Sequence, residues 1–549
     1  MLGLMMAQPL LLSGLLEHAA SVHADREIVS YPAKGPAYRG CYRETAGRTR
    51  RLANALRALG IRAGDRVATL ACSTHRHLEI FYAAAGIGAI CHTINPRLHA
   101  DQIAFIAAQA EDVLVCADPT FLAEAGAVVR GGQVRAVVLL DEGTPDPAVM
   151  AAAQGLPVPL LHYEELLASQ LDVLRWPELD ENTAAGLCYT SGTTGEPRGV
   201  LYSHRSQILH AYAVALPDVA GISEADSVLP AAPMFHVQAW GIPYAATLAG
   251  ARLVLPGPRL HGAALAEVIA AEGVTIALGV PTLWVGLIRY LRASQQRLPT
   301  LRRVIVGGAA CPPALITAFQ QELGVEVRHA WGMTEMSPLG TIATLAARHG
   351  SLPAEARTRL QAKQGRPVFG VELRIDDEAG RPVPHDGCSI GEIKVRGPWV
   401  CSGYYHCDAP GTHDADGWFA TGDLGTIDAD GFVQITDRRK DLIKFGGESI
   451  SSIEIENLAM EHPAVMQAAA IGIPDEKWGE KPLLLVVLNP GSTAGEDELL
   501  ALYRARVAKW CVPTRILCVA SLPTSATGKV QKNVLRAQYA HHTTAVPID

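Results

Sequence analysis

YTSGTTGEPRGV, residues 189–200, is the stretch on which the reading of this chain turns. It follows an apolar, strand-like run, Ala184–Cys188. It carries hydroxyls at Thr190, Ser191, Thr193 and Thr194 and glycines at 192, 195 and 199. Glycines let backbone N–H groups come close to an anion, and hydroxyls donate to phosphate oxygens. The stretch is not a Walker A loop, because GxxxxGK[ST] is absent. Read from composition alone, a polar surface loop is the competing account.

Working outward, the flanking sequence alternates strand and helix signals. VATLAC (67–72), VLVCA (113–117) and AVVLL (136–140) are predicted as buried strands, and HLEIFYAAAGIGA (77–89) as a helix. Downstream, TIALGVP (275–281), VIVGG (304–308) and VEVRHAWG (325–332) continue the strand series. Short apolar strands separated by helices imply parallel sheets covered on both faces. From about residue 366 the texture changes. VELRIDD, GEIKVRG and GFVQITD are short strands split by turn residues, which predicts a β-rich section of small-barrel type. Seven of the ten lysines fall after Asp437, and DRRKD (437–441) is a charged run between apolar segments. The expected fold is therefore α/β. A large N-terminal domain (1–436) has helix-covered parallel sheets plus a β-rich subdomain, a hinge spans 437–441, and a small α+β lid spans 442–549.

Composition narrows the function. The chain has 549 residues, 49% hydrophobic and 19% charged, with a net charge of −8. Such a chain buries a large core without disulfides, and nothing in it favours nucleic acid. Eleven cysteines are scattered without a CxxC pair or metal-ligand spacing, so reduced thiols and a cytoplasmic location are expected. Cys72, Cys91, Cys116 and Cys188 lie in apolar runs and read as small core residues. No apolar run approaches the ~20 residues of a membrane span. Near the start, Ser13 is expected to cap a helix formed by LLEHAA.

Five motifs in order carry a resemblance over about 340 residues: YTSGTTGEPRGV, HAWGMTE (329–335), DGWFATGD (416–423), DRRKDLIK (437–444) and TSATGK (524–529). Together they resemble the acyl-adenylate-forming superfamily of acyl-CoA synthetases, carrier-protein adenylation domains and luciferases. CHTINPRL (91–98) is similar to the medium- and long-chain fatty acyl-CoA ligase branch, which also includes 3-(methylthio)propionyl-CoA ligases. The resemblance implies two half-reactions. A carboxylate attacks the α-phosphorus of ATP, giving acyl-AMP and pyrophosphate; coenzyme A then displaces AMP. Joining two anions calls for cations, Mg²⁺ and oriented N–H groups more than for a strong base.

The resemblance also implies roles. Thr190, Ser191, Gly192, Thr193, Thr194 and Gly195 would cradle phosphates. Gly308, Ala309, Ala310, His329, Ala330, Gly332 and Met333 would border the nucleotide, with Trp331 on adenine and Thr334 on phosphate. Glu335, with Thr190, would hold Mg²⁺. Asp423 would take the ribose hydroxyls, assisted by Arg438. His236, Val237, Trp240 and Gly308 would border the acyl group, with His236 near its carboxylate. Gly446, Gly447 and Glu448 would meet coenzyme A, Lys440 would be the hinge, and Lys529 would bridge carboxylate and α-phosphate. A homodimer is implied by analogy. Two positions depart from the pattern: Arg198 stands where relatives place Lys, and Ser449 replaces a branch tryptophan. Gly387–Gly391 matches the G-x-S-x-G hydrolase elbow, but that elbow needs a strand before it and a helix after it. A ligase for a short carboxylate and an enzyme that loads a carrier protein remain the alternatives.

Overall fold

The computed structural model describes residues 1, 3–33, 35–141, 147, 149, 151, 155–190, 197–446, 448–524 and 530–540. Ser191, Gly192, Thr193, Thr194, Gly195, Gly447 and Lys529 lie outside the described residues. Among the described residues, two large sheets build the N-terminal part. One has seven strands in the order Leu160–His162, Val137–Leu139, Asp112–Ala117, Arg66–Leu70, Ile90–Thr93, Ala184–Tyr189 and Gly199–Ser203. Its pairs are parallel except the last. The second has nine strands, with a parallel centre from Glu27–Ser30 to Glu326–Gly332 and antiparallel edges. Strands buried on both faces have no need to alternate, which is why Asp112–Ala117 is buried at every position.

The helix expected over 77–89 runs from His75 to Gly86, and all twelve of its residues are buried. It touches strands of both sheets, so it has no polar face to display. Near the N-terminus the helix spans Leu12–Val22, and Ser13 lies inside it, not at its cap. The reason is tertiary. The Leu12 N–H donates to the His204 ring (3.2 Å) and Leu10 N–H to Glu181 (3.0 Å), so distant side chains supply the cap.

The β-rich section is an open antiparallel sheet, not a barrel. Its strands run Glu372–Asp376, Gly391–Arg396, Phe419–Ile427 and Val433–Arg438 in sequence order. Among the described residues no pairing joins its two edges. The turn at 428–431 is a hairpin in which Asp428 accepts the Asp430 and Phe432 N–H groups and pairs with Lys363 at 2.6 Å. The hydrolase elbow is absent in form: Ser389 sits in a turn on Asp386, and a strand follows it.

A five-stranded mixed sheet with helices Ser452–Met460, Glu496–Arg504 and Lys532–Tyr539 makes the small C-terminal part. Asp437 and Arg438 end the last strand of the preceding sheet, and Arg439–Leu442 turn onward through bonds to the Arg438 carbonyl. Asp437 accepts from the Ser452 N–H (2.6 Å) and hydroxyl (2.7 Å), and Arg536 pairs with Asp441 at 2.8 Å. All eleven cysteines are free thiols; Cys91, Cys116 and Cys188 are buried as expected, whereas Cys72 is half-buried at a strand end. No described helix is long and apolar enough to cross a membrane.

Candidate functional site

A cleft of about 630 Å³ opens where the strands of the large sheets end and the four-stranded sheet meets them. Crevices at the carboxyl ends of parallel strands are where open α/β sheets bind ligands. Thr190, Arg198, His236, Val237, Trp240, Gly308, Ala330–Glu335 and Arg438–Lys440 all line it.

Thr190 stands at the neck of the 189–200 stretch. Its N–H donates to the Arg198 carbonyl (2.9 Å), and Tyr189 pairs with Gly199 across the antiparallel strands. Thr190 and Arg198, which flank the undescribed residues, are thus bonded to each other, and both line the cleft. Arg198 does not point to solvent: its guanidinium lies 5.2 Å from the centre of the Tyr404 ring. Tyr404 in turn donates its hydroxyl to Glu335 at 2.7 Å. Burial and the neighbouring Glu335 carboxylate push the Tyr404 phenol well up, so it stays a donor. Glu335 is itself buried, and its carbonyl accepts the Cys401 N–H.

Trp331 also lines the cleft. Its indole N–H donates to Asp423 Oδ2 at 2.9 Å, and Arg438 Nε approaches Asp423 Oδ1 at 3.2 Å. The strand register places Asp423 opposite Arg438, so the sheet itself sets this pair. An ionised carboxylate has about four acceptor sites, so two remain. Thr334 has its carbonyl fixed by the Tyr202 hydroxyl at 2.7 Å.

His236 precedes an unusual segment. Val237, Gln238, Ala239, Trp240 and Gly241 have φ of 44, 49, 51, 58 and 70°, a run of left-handed backbone. Such residues cost roughly 1–2 kcal/mol each outside glycine. The surroundings hold the turn in place. A Cβ on Gly241 would fall 2.6 Å from His210 Nδ1, and the Gln238 amide is buried against Gly186. Burial lowers the His210 imidazole to about 3, so it is neutral, and it accepts the Leu339 N–H at 3.2 Å. Trp240 is thereby laid over Gly307 and Gly308, where Cβ atoms would approach its ring at 3.2 and 3.8 Å.

Several expected positions fall elsewhere. His329 is buried, with its ring bonded to the Ala362 carbonyl at 2.9 Å, and Ala309 is exposed. Gly446 and Glu448 are exposed on the small part, where a Cβ on Gly446 would meet the Trp478 ring at 2.7 Å. Trp478 stacks on Phe445 with ring centres 4.9 Å apart. Sequence reasoning missed Tyr404 and Tyr202, which lie in no motif and which only tertiary contacts reveal, and gave no role to Arg439, which lies within DRRKDLIK and lines the cleft.

Comparison with known proteins fits this geometry. Residues 16–405 match the model of the AMP-binding enzyme family, and 454–529 match that of the AMP-binding enzyme C-terminal domain. The chain is 48% identical over 540 residues to a 3-methylmercaptopropionyl-CoA ligase of Ruegeria lacuscaerulensis, covering 98% of this chain and 99% of that one. It is 48% identical over 541 residues to a medium-chain-fatty-acid–CoA ligase of Ectopseudomonas oleovorans, covering 98% of each. The crystal structure of ATP-bound MatB from Rhodopseudomonas palustris is similar with a TM-score of 0.81 at 26% identity, over 96% of this chain and 99% of that one. With both family models matched in order, and with the cleft formed by the very segments that carry the motifs, the chain belongs to the AMP-binding enzyme family.

Proposed function

We propose that this chain is an ATP-dependent, AMP-forming acyl-CoA ligase acting on a medium-chain fatty acid. The observation that carries the reading is one cleft lined by polar and apolar groups together. Thr190, Arg198, Thr334 and Glu335, the last bonded to Tyr404, share it with Leu278, Ile305, Leu339 and Ile342. Relatives 48% identical are named as CoA ligases for carboxylic acids, which supports the same reaction class.

In the first half-reaction a carboxylate oxygen bonds to the α-phosphorus of ATP and the bond to pyrophosphate breaks. Asp423 would accept ribose hydroxyls, with Arg438 and the Trp331 N–H holding its carboxylate still. Thr190, Ser191, Gly192, Thr193, Thr194 and Gly195 would hold the β- and γ-phosphates. Magnesium fits Glu335, because one hard carboxylate oxygen remains beside the one that accepts from Tyr404. The ion would neutralise phosphate charge there. His236 and Lys529 would face the reacting carboxylate. In the second half-reaction the coenzyme A sulfur bonds to the acyl carbon and AMP leaves. Gly446, Gly447 and Glu448 would guide the thiol after rotation about Lys440, which makes 437–441 the hinge between 1–436 and 442–549. A homodimer in the cytoplasm completes the proposal.

A short acid is the second reading, favoured by the equal identity to the 3-methylmercaptopropionyl-CoA ligase. The test is coenzyme A-dependent AMP release over straight-chain acids from acetate to stearate, with 3-(methylthio)propionate beside them. A burying tunnel adds roughly 0.8 kcal/mol per methylene until it ends, so kcat/KM should rise with length and then fall. A maximum at acetate or at 3-(methylthio)propionate would overturn the medium-chain reading. Turnover with a carrier protein but not with coenzyme A would overturn the ligase.

A further inference from the structure

One face of the nine-stranded sheet carries an apolar strip that ends in charge. Residues in register on neighbouring strands share a face, as do alternate residues along one strand. Gly307 starts the strip beneath the Trp240 ring. Two residues back, Ile305 stands in register with Leu278 on one side and Arg328 on the other. Two further back, Arg303 stands in register with Ile276 and Glu326. At a strand rise of ~3.3 Å, Gly307 and Arg303 are about 13 Å apart.

The charges at the far end are spent on a loop. Glu326 accepts from Arg328 Nε and from Arg303 Nε, both at 2.7 Å. Arg328, only 6% exposed, donates through Nη1 to the carbonyls of Pro217 (2.8 Å) and Val219 (2.6 Å). Arg303 Nη1 donates to the Ala220 carbonyl at 3.0 Å. These carbonyls belong to the loop after helix His204–Ala215, and the side chains of Val219 and Ala220 line the cleft. Their backbone is bonded to the cluster at the charged end of the strip, so they lie across the end of the apolar path.

We propose that Glu326, Arg303 and Arg328 form the length gauge of the acyl tunnel: positioning residues that hold Val219 and Ala220 across its end. The proposal rests on the reading that an alkyl acid occupies this cleft. A chain end that reaches this loop meets Val219 and Ala220, and the next row of the strip, Arg303 with Glu326, is charged. Beyond it stand guanidinium groups already satisfied by carbonyls and a carboxylate, and exposing them to hydrocarbon is unfavourable. Each accommodated methylene is worth about four-fold in kcat/KM, and the gain stops at the gauge.

The test uses the full-length chain and measures kcat and KM separately for acids from acetate to stearate, with KM for ATP alongside. Ala220→Phe fills the tunnel end and keeps the backbone carbonyl to which Arg303 donates. It should move the optimum to shorter acids and cut kcat/KM for the wild-type best acid about ten-fold, through KM. Arg328→Met frees two carbonyls while keeping an apolar stem. It should raise kcat/KM for acids two carbons beyond the wild-type optimum about ten-fold relative to that optimum. KM for ATP should hold in both. Glu326→Gln, which removes the shared charge and leaves an acceptor for only one of the two arginines, should shift the profile the same way as Arg328→Met and stands in if that variant does not fold. Equal loss at every chain length, or an unmoved optimum in all three, would overturn the proposal. So would wild-type turnover of a terminal dicarboxylic acid that Arg328→Met abolishes, because the guanidinium would then bind substrate itself. A wild-type optimum at short acids defeats the medium-chain reading alone, since the opposite shifts in Ala220→Phe and Arg328→Met still judge the gauge.

Discussion

Asp423 shows how a single carboxylate is prepared before any ligand arrives. Trp331 and Arg438 each take one of its oxygens and leave the outer lone pairs open. Hydrogen bonds to a charged group contribute about 1.5–3 kcal/mol. Trp331→Phe removes the N–H together with one of the two fused rings, so KM for ATP is expected to rise at least about ten-fold; steady-state kinetics at varied ATP check this. Glu335→Gln keeps the volume and the acceptor for Tyr404 but loses the charge. Its adenylation rate should fall and its magnesium dependence weaken; an unchanged rate across a magnesium titration would remove Glu335 from the site. His210 gives a pH prediction. Burial lowers its folded value to about 3, below the usual ~6.5 of the unfolded chain. Its neutral form therefore contributes stability that is present above the unfolded value and is lost as pH falls toward the folded one. From about pH 7 to about pH 5 that loss is about 2 kcal/mol. Glutamine can accept the Leu339 N–H without titrating, so His210→Gln should lose less stability over this interval than the wild type in denaturant melts at each pH.

At the scale of elements, the left-handed turn Val237–Gly241 is the most demanding piece of backbone around the cleft. Four non-glycine residues adopt it, so packing must outweigh their intrinsic cost. Gly241 is the position with least freedom, having both a φ of 70° and the His210 ring within 2.6 Å of a Cβ. Gly241→Ala is expected to destabilise by on the order of 2 kcal/mol, from the left-handed penalty plus displacement of His210. Because the turn carries Trp240, KM for the acid should rise more than KM for ATP. Thermal melts and paired kinetics separate the two effects, and an equal rise in both constants would deny the turn a role in acyl binding.

The whole molecule joins a large part that holds the cleft to a small part joined through a few specific contacts. Ser452 on Asp437 and Arg536 on Asp441 tie the small part to the connecting segment. Lys532, three residues beyond Lys529, pairs with Glu456 at 2.7 Å, so the C-terminal helix is anchored within the small part. If the two half-reactions use different faces of that lid, Lys529 serves only the first. Lys529→Ala should cost adenylation on the order of 10²–10³-fold, as for losing one electrostatic donor from a preorganised site. Thioester formation from supplied acyl-AMP and coenzyme A should stay nearly intact. Pyrophosphate exchange and the isolated second step measure the halves; equal losses would make Lys529 structural.

The sequence by itself determined the family and the layered α/β plan, because both are written locally. Buried parallel strands such as Asp112–Ala117 are largely apolar runs, and the glycine-hydroxyl stretch 189–200 is a contiguous motif readable without its neighbours. It also singled out Asp423, Trp331 and Glu335 by motif. Their partners were not legible: Tyr404 on Glu335 and the His204 cap on Leu12 join residues 69 and 192 positions apart, with no shared local pattern. The same limit misplaced Ser13, since a hydroxyl before an apolar run signals a cap only when no distant side chain supplies one. An open four-stranded sheet and a small barrel have the same alternation along each strand, and only edge pairing tells them apart. The left-handed turn and the arginine bonds to the 217–220 loop were decided by tertiary structure alone. In each, packing and hydrogen bonds from remote strands and helices outweigh what the local sequence prefers.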